Sequence, residues 1–83
     1  MKLNNLGNNK TEIVSENKTV FFSYKTPVAA IVDGKVYKTS TKWSVTTSKH
    51  ISQWLGGMQA ELKDQTFFDG LLLSLVKASI NLI

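Results

Sequence analysis

Apolar and polar positions along the chain follow two different periods, and the change falls near residue 45. Ahead of it, short runs rich in β-branched and aromatic residues alternate with clusters of Gly, Asn, Asp and Lys, which predicts strands joined by tight turns. Leu3–Leu6 and Thr11–Ser15 are short strand candidates, bounded by the turns Gly7-Asn8-Asn9-Lys10 and Glu16-Asn17-Lys18. Thr19–Tyr24 is the clearest strand of this half, with Val20, Phe22 and Tyr24 expected on one face. The only proline, Pro27, suits a bend or a strand entry and argues against a central strand. Val28–Val32 and Lys35–Thr39 flank Asp33-Gly34, the dipeptide favoured in a two-residue type I′ hairpin. That turn pairs Val32 with Lys35, Ile31 with Val36 and Ala30 with Tyr37. Lys42–Val45 reads as one more extended piece, with Trp43 and Val45 on a common face.

Behind residue 45 the spacing becomes helical. Thr46 or Thr47 is the expected N-cap of a helix near 47–55, whose stripe is Ile51, Trp54 and Leu55 and whose left-handed stop is Gly56-Gly57. Met58–Lys63 reads equally as a helical turn or a loop. Asp64 or Thr66 then caps a second helix near 66–82. The fold class expected is α+β: a single domain over 1–83, with an antiparallel meander of three to five strands over 1–45 followed by two helices.

The second helix is more apolar than one core requires. Leu71, Leu75, Ala78 and Leu82 lie on one face and Phe68, Leu72, Val76 and Ile83 on the next, leaving a narrow polar strip of Gly70, Ser74, Lys77 and Asn81. A second copy of the chain is the expected cover for the surplus, with Phe68, Leu72, Leu75, Val76 and Ile83 at the contact. The alternative is a sheet curled round the helix. The strip holds a single lysine, unlike the basic face of an interfacial membrane helix, so no membrane partner is expected.

Composition narrows the chemistry. The chain has 83 residues, no Cys and one His, which removes a disulfide scaffold, a thiol nucleophile and a zinc-finger site. No metal-ligand spacing, nucleophile elbow or phosphate loop is present, and the carboxylates are scattered, so a non-enzymatic chain without cofactor or metal is expected. His50 reads as a half-buried ring near Trp54, one helical turn on. Residues 1–15 lack the apolar run of a signal peptide, so a cytoplasmic location is expected, that of a host cell if the chain is viral.

Charge is concentrated in one window. The formal net charge is +4, and residues 34–60 carry Lys35, Lys38, Lys42 and Lys49 without a single acid. The same window holds Tyr37, Trp43, Trp54 and His50 with many hydroxyls. Lysines, hydroxyls and helix N-termini are the groups that contact phosphates. Lys35, Lys38, Lys42, Thr46, Thr47, Ser48, Lys49 and His50 are therefore the candidate nucleic-acid or anion-binding residues. A solvated lysine face, with the hydroxyls in strand and cap roles, explains the same window. Lys49 in a first helical turn opposes the helix dipole, and a bound anion there offsets that cost. The chain has no Arg, whose pairing with guanine is the commonest specific contact, so only weak sequence preference is expected.

Phe22-Ser23-Tyr24, Thr26-Pro27-Val28-Ala29, Tyr37-x-Thr39, Trp43-Ser44-x-Thr46-Thr47-Ser48-Lys49-His50-Ile51 and Trp54-Leu55 together resemble a group of short uncharacterised proteins from phages and environmental prokaryotic sequences. Phe67-Phe68-Asp69 is similar as well. The resemblance covers about half the chain; it implies a phage or mobile-element origin and transfers no activity. Two function classes stand: a non-catalytic module that holds nucleic-acid phosphates, and a protein-interaction module that engages a host protein or forms a structural oligomer.

Overall fold

The computed structural model describes residues 2–81, with side chains described as far as Leu75. Five strands run as an antiparallel meander: β1 (Lys2–Gly7), β2 (Lys10–Ser15), β3 (Lys18–Ser23), β4 (Thr26–Val32) and β5 (Lys35–Thr39). Helix α1 (Val45–Leu55) then leads into β6 (Glu61–Lys63), and α2 (Gln65–Asn81) follows. The architecture is α+β, a β-meander followed by two helices, with six strands in the order β1-β2-β3-β4-β5-β6. The meander itself has five strands, within the expected three to five, and β6 is an addition beyond it. Strand β6 pairs parallel to β5, Tyr37 opposite Glu61 and Thr39 opposite Lys63, which makes β5-α1-β6 a crossover unit. Neither a helical turn nor a loop, the two readings of this stretch, describes Glu61–Lys63.

The Asp33-Gly34 hairpin has the expected register, with φ +50° and +82° at its two central residues, as a type I′ turn requires. Pro27, by contrast, lies in a central strand. A bulge accommodates it: Phe21 faces Ala29 and Phe22 faces Pro27, leaving Val28 without an opposite number. The extra residue turns Val28 and Ala29 both into the core beneath α1.

The sheet is covered on both sides. Phe21, Val28, Ala29, Ile51 and Leu55 pack under α1, and Val20, Phe22, Ala30, Phe68 and Leu75 pack under α2. Consecutive Val20-Phe21-Phe22, all nearly inaccessible, thus feed opposite cores. Phe68 and Leu75, expected at a subunit contact, are 0% and 2% exposed within the chain's own core, and Leu72 packs half-buried against it. The α2 face of the sheet takes up Phe68 and Leu75, which have little area left for a second copy, whereas Leu73 on the same helix is 60% exposed. The side chain of Val76, and Ile83 altogether, lie outside the described residues. Among the described residues no helix is long and apolar enough to cross a membrane.

Helix α1 starts two residues earlier than expected. Its N-cap is Ser44, in extended backbone, whose hydroxyl accepts the Thr47 N–H at 3.1 Å. Lys42–Ser44 is accordingly a loop and not a strand, and Val45 opens the helix three-quarters exposed. Gly56 ends it in the left-handed conformation. Asp64 caps α2, accepting the Phe67 N–H at 3.3 Å and the Thr66 hydroxyl at 2.6 Å.

Candidate functional site

In a meander the turns alternate between the two ends of the sheet. The β1–β2 turn, the β3–β4 turn and the β5–α1 loop therefore share one end, and α1 begins there. Lys42, Thr46, Ser48 and Lys49 lie at that end, all exposed. Lys38 sits half-buried on β5, opposite Ala29 and hence on the α1 face. Lys35 does not join them: it adjoins the Asp33-Gly34 turn at the other end of the sheet. Thr47 is withdrawn too, buried with its hydroxyl oxygen 3.2 Å from both Ser23 and Ser44. With the helix starting at Val45, Lys49 falls in the second turn, past the region where the dipole acts strongly.

The same end holds three residues from outside that window, Lys10, Tyr24 and Lys25, and one inside it, Trp43, that was not among the candidate binding residues. Lys10 opens β2 and its ammonium donates to Gln53 Oε1 on α1 at 3.2 Å. Tyr24 and Lys25 form the two-residue turn between β3 and β4, and Trp43 lies in the loop before α1. Tyr24 was expected inside a strand beside Phe22; it occupies the turn instead, half exposed, with φ +59°. Trp43 is also half exposed, and its indole N–H donates to Gln65 Oε1 at 3.2 Å. The amide of Gln65 in turn donates to the Pro27 carbonyl at 2.7 Å, and the Thr39 hydroxyl donates to Gln65 Oε1. One side chain thus fixes the loop carrying Trp43 to two strands and α2.

Tyr24 and Trp43 line one open cleft of about 230 Å³, together with Ser23, Thr26, Val28, Ser44 and Thr47. His50 stands beside it. Its Nδ1 lies 2.9 Å from Ser23 Oγ and its ring 5.9 Å from that of Tyr24. Trp54, the neighbour expected for His50, stacks flat on Phe21 at 5.1 Å and donates to Glu12 Oε1 at 3.0 Å. A second hollow, about 360 Å³, lies between His50, Gln53, Trp54 and the strands β1 to β3, but Glu12 there is already held by Trp54 and by Asn4.

At this end stand Lys10, Lys25, Lys42 and Lys49. Glu12, on the strand that Lys10 opens, is held by Trp54 and Asn4, and Asp69 Oδ1 lies 3.4 Å from the amide of Gln65, whose oxygen holds Trp43. The acids Asp64 and Asp69 belong to the α2 side, where Lys63 also sits, 5.7 Å from the centres of the Tyr37 and Phe67 rings. The Thr66 hydroxyl and the Phe67 N–H, with Lys63 adding a little, hold the Asp64 carboxyl below its ordinary value. Among the described residues no group of three or more His, Cys, Asp or Glu is arranged to hold a metal ion.

A family model covers residues 1–70, which take in the whole sheet, α1 and the opening of α2. The chain belongs to the family of unknown function DUF8033. The cleft and the four lysines at this end of the sheet fall within the matched part of the DUF8033 chain. No curated protein and no solved structure matches it.

Proposed function

We propose that this chain is a non-catalytic module that binds nucleic-acid phosphates at the end of the sheet where α1 begins. The observation that supports it is the gathering of Lys10, Lys25, Lys42 and Lys49 from four separate segments at one end of the sheet. Exposed hydroxyls of Thr46 and Ser48 and the imidazole of His50 supply donors among them. Lys38 extends the same face, and Lys35 is left out. An origin in a phage or mobile element, and a cytoplasmic location, belong to the same reading.

Salt dependence tests it. Four lysine–phosphate contacts give a log K against log salt slope of about −3 on single strands and about −3.6 on duplex. Replacing Lys42 by Gln lowers the slope by about 0.7–0.9, whereas Lys35→Gln leaves it unchanged. A salt-independent affinity, or equal effects of the two substitutions, refutes the assignment. One observation favours the protein-interaction reading instead: β1 is an open sheet edge with Leu3 66% and Leu6 40% exposed, suited to strand addition by a host protein or a second copy. Sedimentation of the protein across a dilution series separates self-association from that alternative.

A further inference from the structure

We propose that the cleft between Tyr24 and Trp43 receives an unpaired base, which makes the module selective for single-stranded nucleic acid. The inference rests on the nucleic-acid reading above and adds its substrate class.

Tyr24 carries the case. Among the described residues, three other than glycine have positive φ: Asn9, Asp33 and Tyr24. Asn and Asp tolerate that region through short polar side chains, but for a bulky aromatic residue it is an outlier. The turn Tyr24-Lys25 has positive φ only at its first residue, a position that favours glycine. Core packing does not account for the tyrosine, since half of its surface is exposed. A strained bulky residue, half exposed at the rim of a cleft with its ring 5.9 Å from that of His50, points to a role for its ring.

Trp43 supports the same occupant. It too is half exposed, and its N–H is taken by Gln65, so what the loop offers outward is ring surface and not a hydrogen-bond donor. Two aromatic rings on a small open cleft, flanked by lysines on separate segments, combine the two elements of single-strand recognition: stacking platforms and a positive track for the backbone. In a duplex the bases are stacked on each other and their faces are closed to such rings. The cleft, at about 230 Å³, falls below the usual range of small-molecule pockets, which favours a single inserted ring over a whole ligand.

The test compares a fluorescein-labelled oligothymidylate, an abasic strand of equal length and a duplex, each titrated with the wild type, Tyr24→Gly, Tyr24→Phe and Trp43→Leu. Stacking on one ring is expected to make the thymidylate bind roughly 5- to 100-fold tighter than the abasic strand. Tyr24→Gly and Trp43→Leu should erase most of that ratio, and Tyr24→Phe should keep it. The thermal midpoint of Tyr24→Gly should equal or exceed the wild type's, because glycine relieves the positive φ. Equal binding of the two strands, or tighter binding of duplex than of thymidylate, overturns the cleft while leaving phosphate binding in place. A lowered midpoint shows that the tyrosine serves the fold and also overturns it. Absence of binding to every strand at low salt removes this proposal and the nucleic-acid reading together.

Discussion

Replacing Ser44 separates the stability of α1 from the ligand chemistry at its start. The Ser44 hydroxyl accepts the Thr47 N–H at 3.1 Å and lies 3.2 Å from the Thr47 hydroxyl. Alanine removes the cap. The Thr47 hydroxyl keeps its contact with Ser23, so no buried polar group is orphaned and the loss is that of the cap alone. Such a loss is about 1 kcal/mol, within a range of roughly 0.5–2. A domain of this size is stable by only about 4–12 kcal/mol. The thermal midpoint should therefore fall by roughly 4–8 °C per kcal/mol lost. Aspartate caps as well as serine and suits the positive end of the helix, so Ser44→Asp should melt like the wild type. It also places a negative charge on the lining of the cleft, and should weaken nucleic-acid binding without touching the fold. Thermal and urea melts followed by circular dichroism give the first quantity, and fluorescence titration of a labelled strand the second. Thr46→Ala should change neither midpoint nor urea slope. An unchanged midpoint in Ser44→Ala, with a loss in Thr46→Ala, would mean that the helix begins two residues later and that the cap has been misplaced.

Phe68 is inaccessible and meets Phe67 edge-on at 5.2 Å, so Phe68→Ala should cost about 3–5 kcal/mol and leave the domain barely folded. A melt close to the wild type's, with a smaller mass by light scattering, would instead put Phe68 at a subunit contact. The Asp64 carboxyl is held low by its Thr66 and Phe67 hydrogen bonds, so its contribution to stability is present above the ordinary carboxylate range and disappears as pH falls through its lowered value. The gap in urea midpoint between wild type and Asp64→Ala should be widest at neutral pH and narrow in acid; a gap that widens in acid reverses the sign and refutes the cap.

The parts of this fold that sequence reveals are those settled by near neighbours. Asp33-Gly34 dictates its own turn, and the turn dictates the register of Ala30, Ile31 and Val32 without help from the rest of the chain. Strand β6 has no such local signature. Glu61-Leu62-Lys63 is polar and short, and becomes a strand because Tyr37, Lys38 and Thr39 offer a free edge across the crossover. Three hydroxyl residues lie close together ahead of α1, and only tertiary contact distinguishes the cap Ser44 at the surface from Thr47 bonded to Ser23. For the candidate site, a contiguous window of lysines does not map onto one end of the sheet. Lys10 and Lys25 precede it in sequence and join Lys42 because meander turns return to the same end at every second strand, whereas Lys35, inside the window, faces away by one strand length. Tyr24 was assigned to a strand face because its β propensity outweighs its turn propensity, and the chain places it in the turn regardless.

The crossover from β5 to β6 also orders the events by which the chain acquires and loses its shape. Each hairpin of the meander closes over two residues, but pairing Thr39 with Lys63 must first close a loop of about twenty residues through α1. The entropic cost falls before any ladder bond repays it, so the meander collapses early and β6 zips on late. The same imbalance operates in reverse in the native state. A three-residue strand with two exposed side chains, fastened by little more than Tyr37 to Thr39 and the Ser40 N–H on the Lys63 carbonyl, is the first part of the sheet to open. Its amides should exchange with solvent ahead of those of β3 and β4.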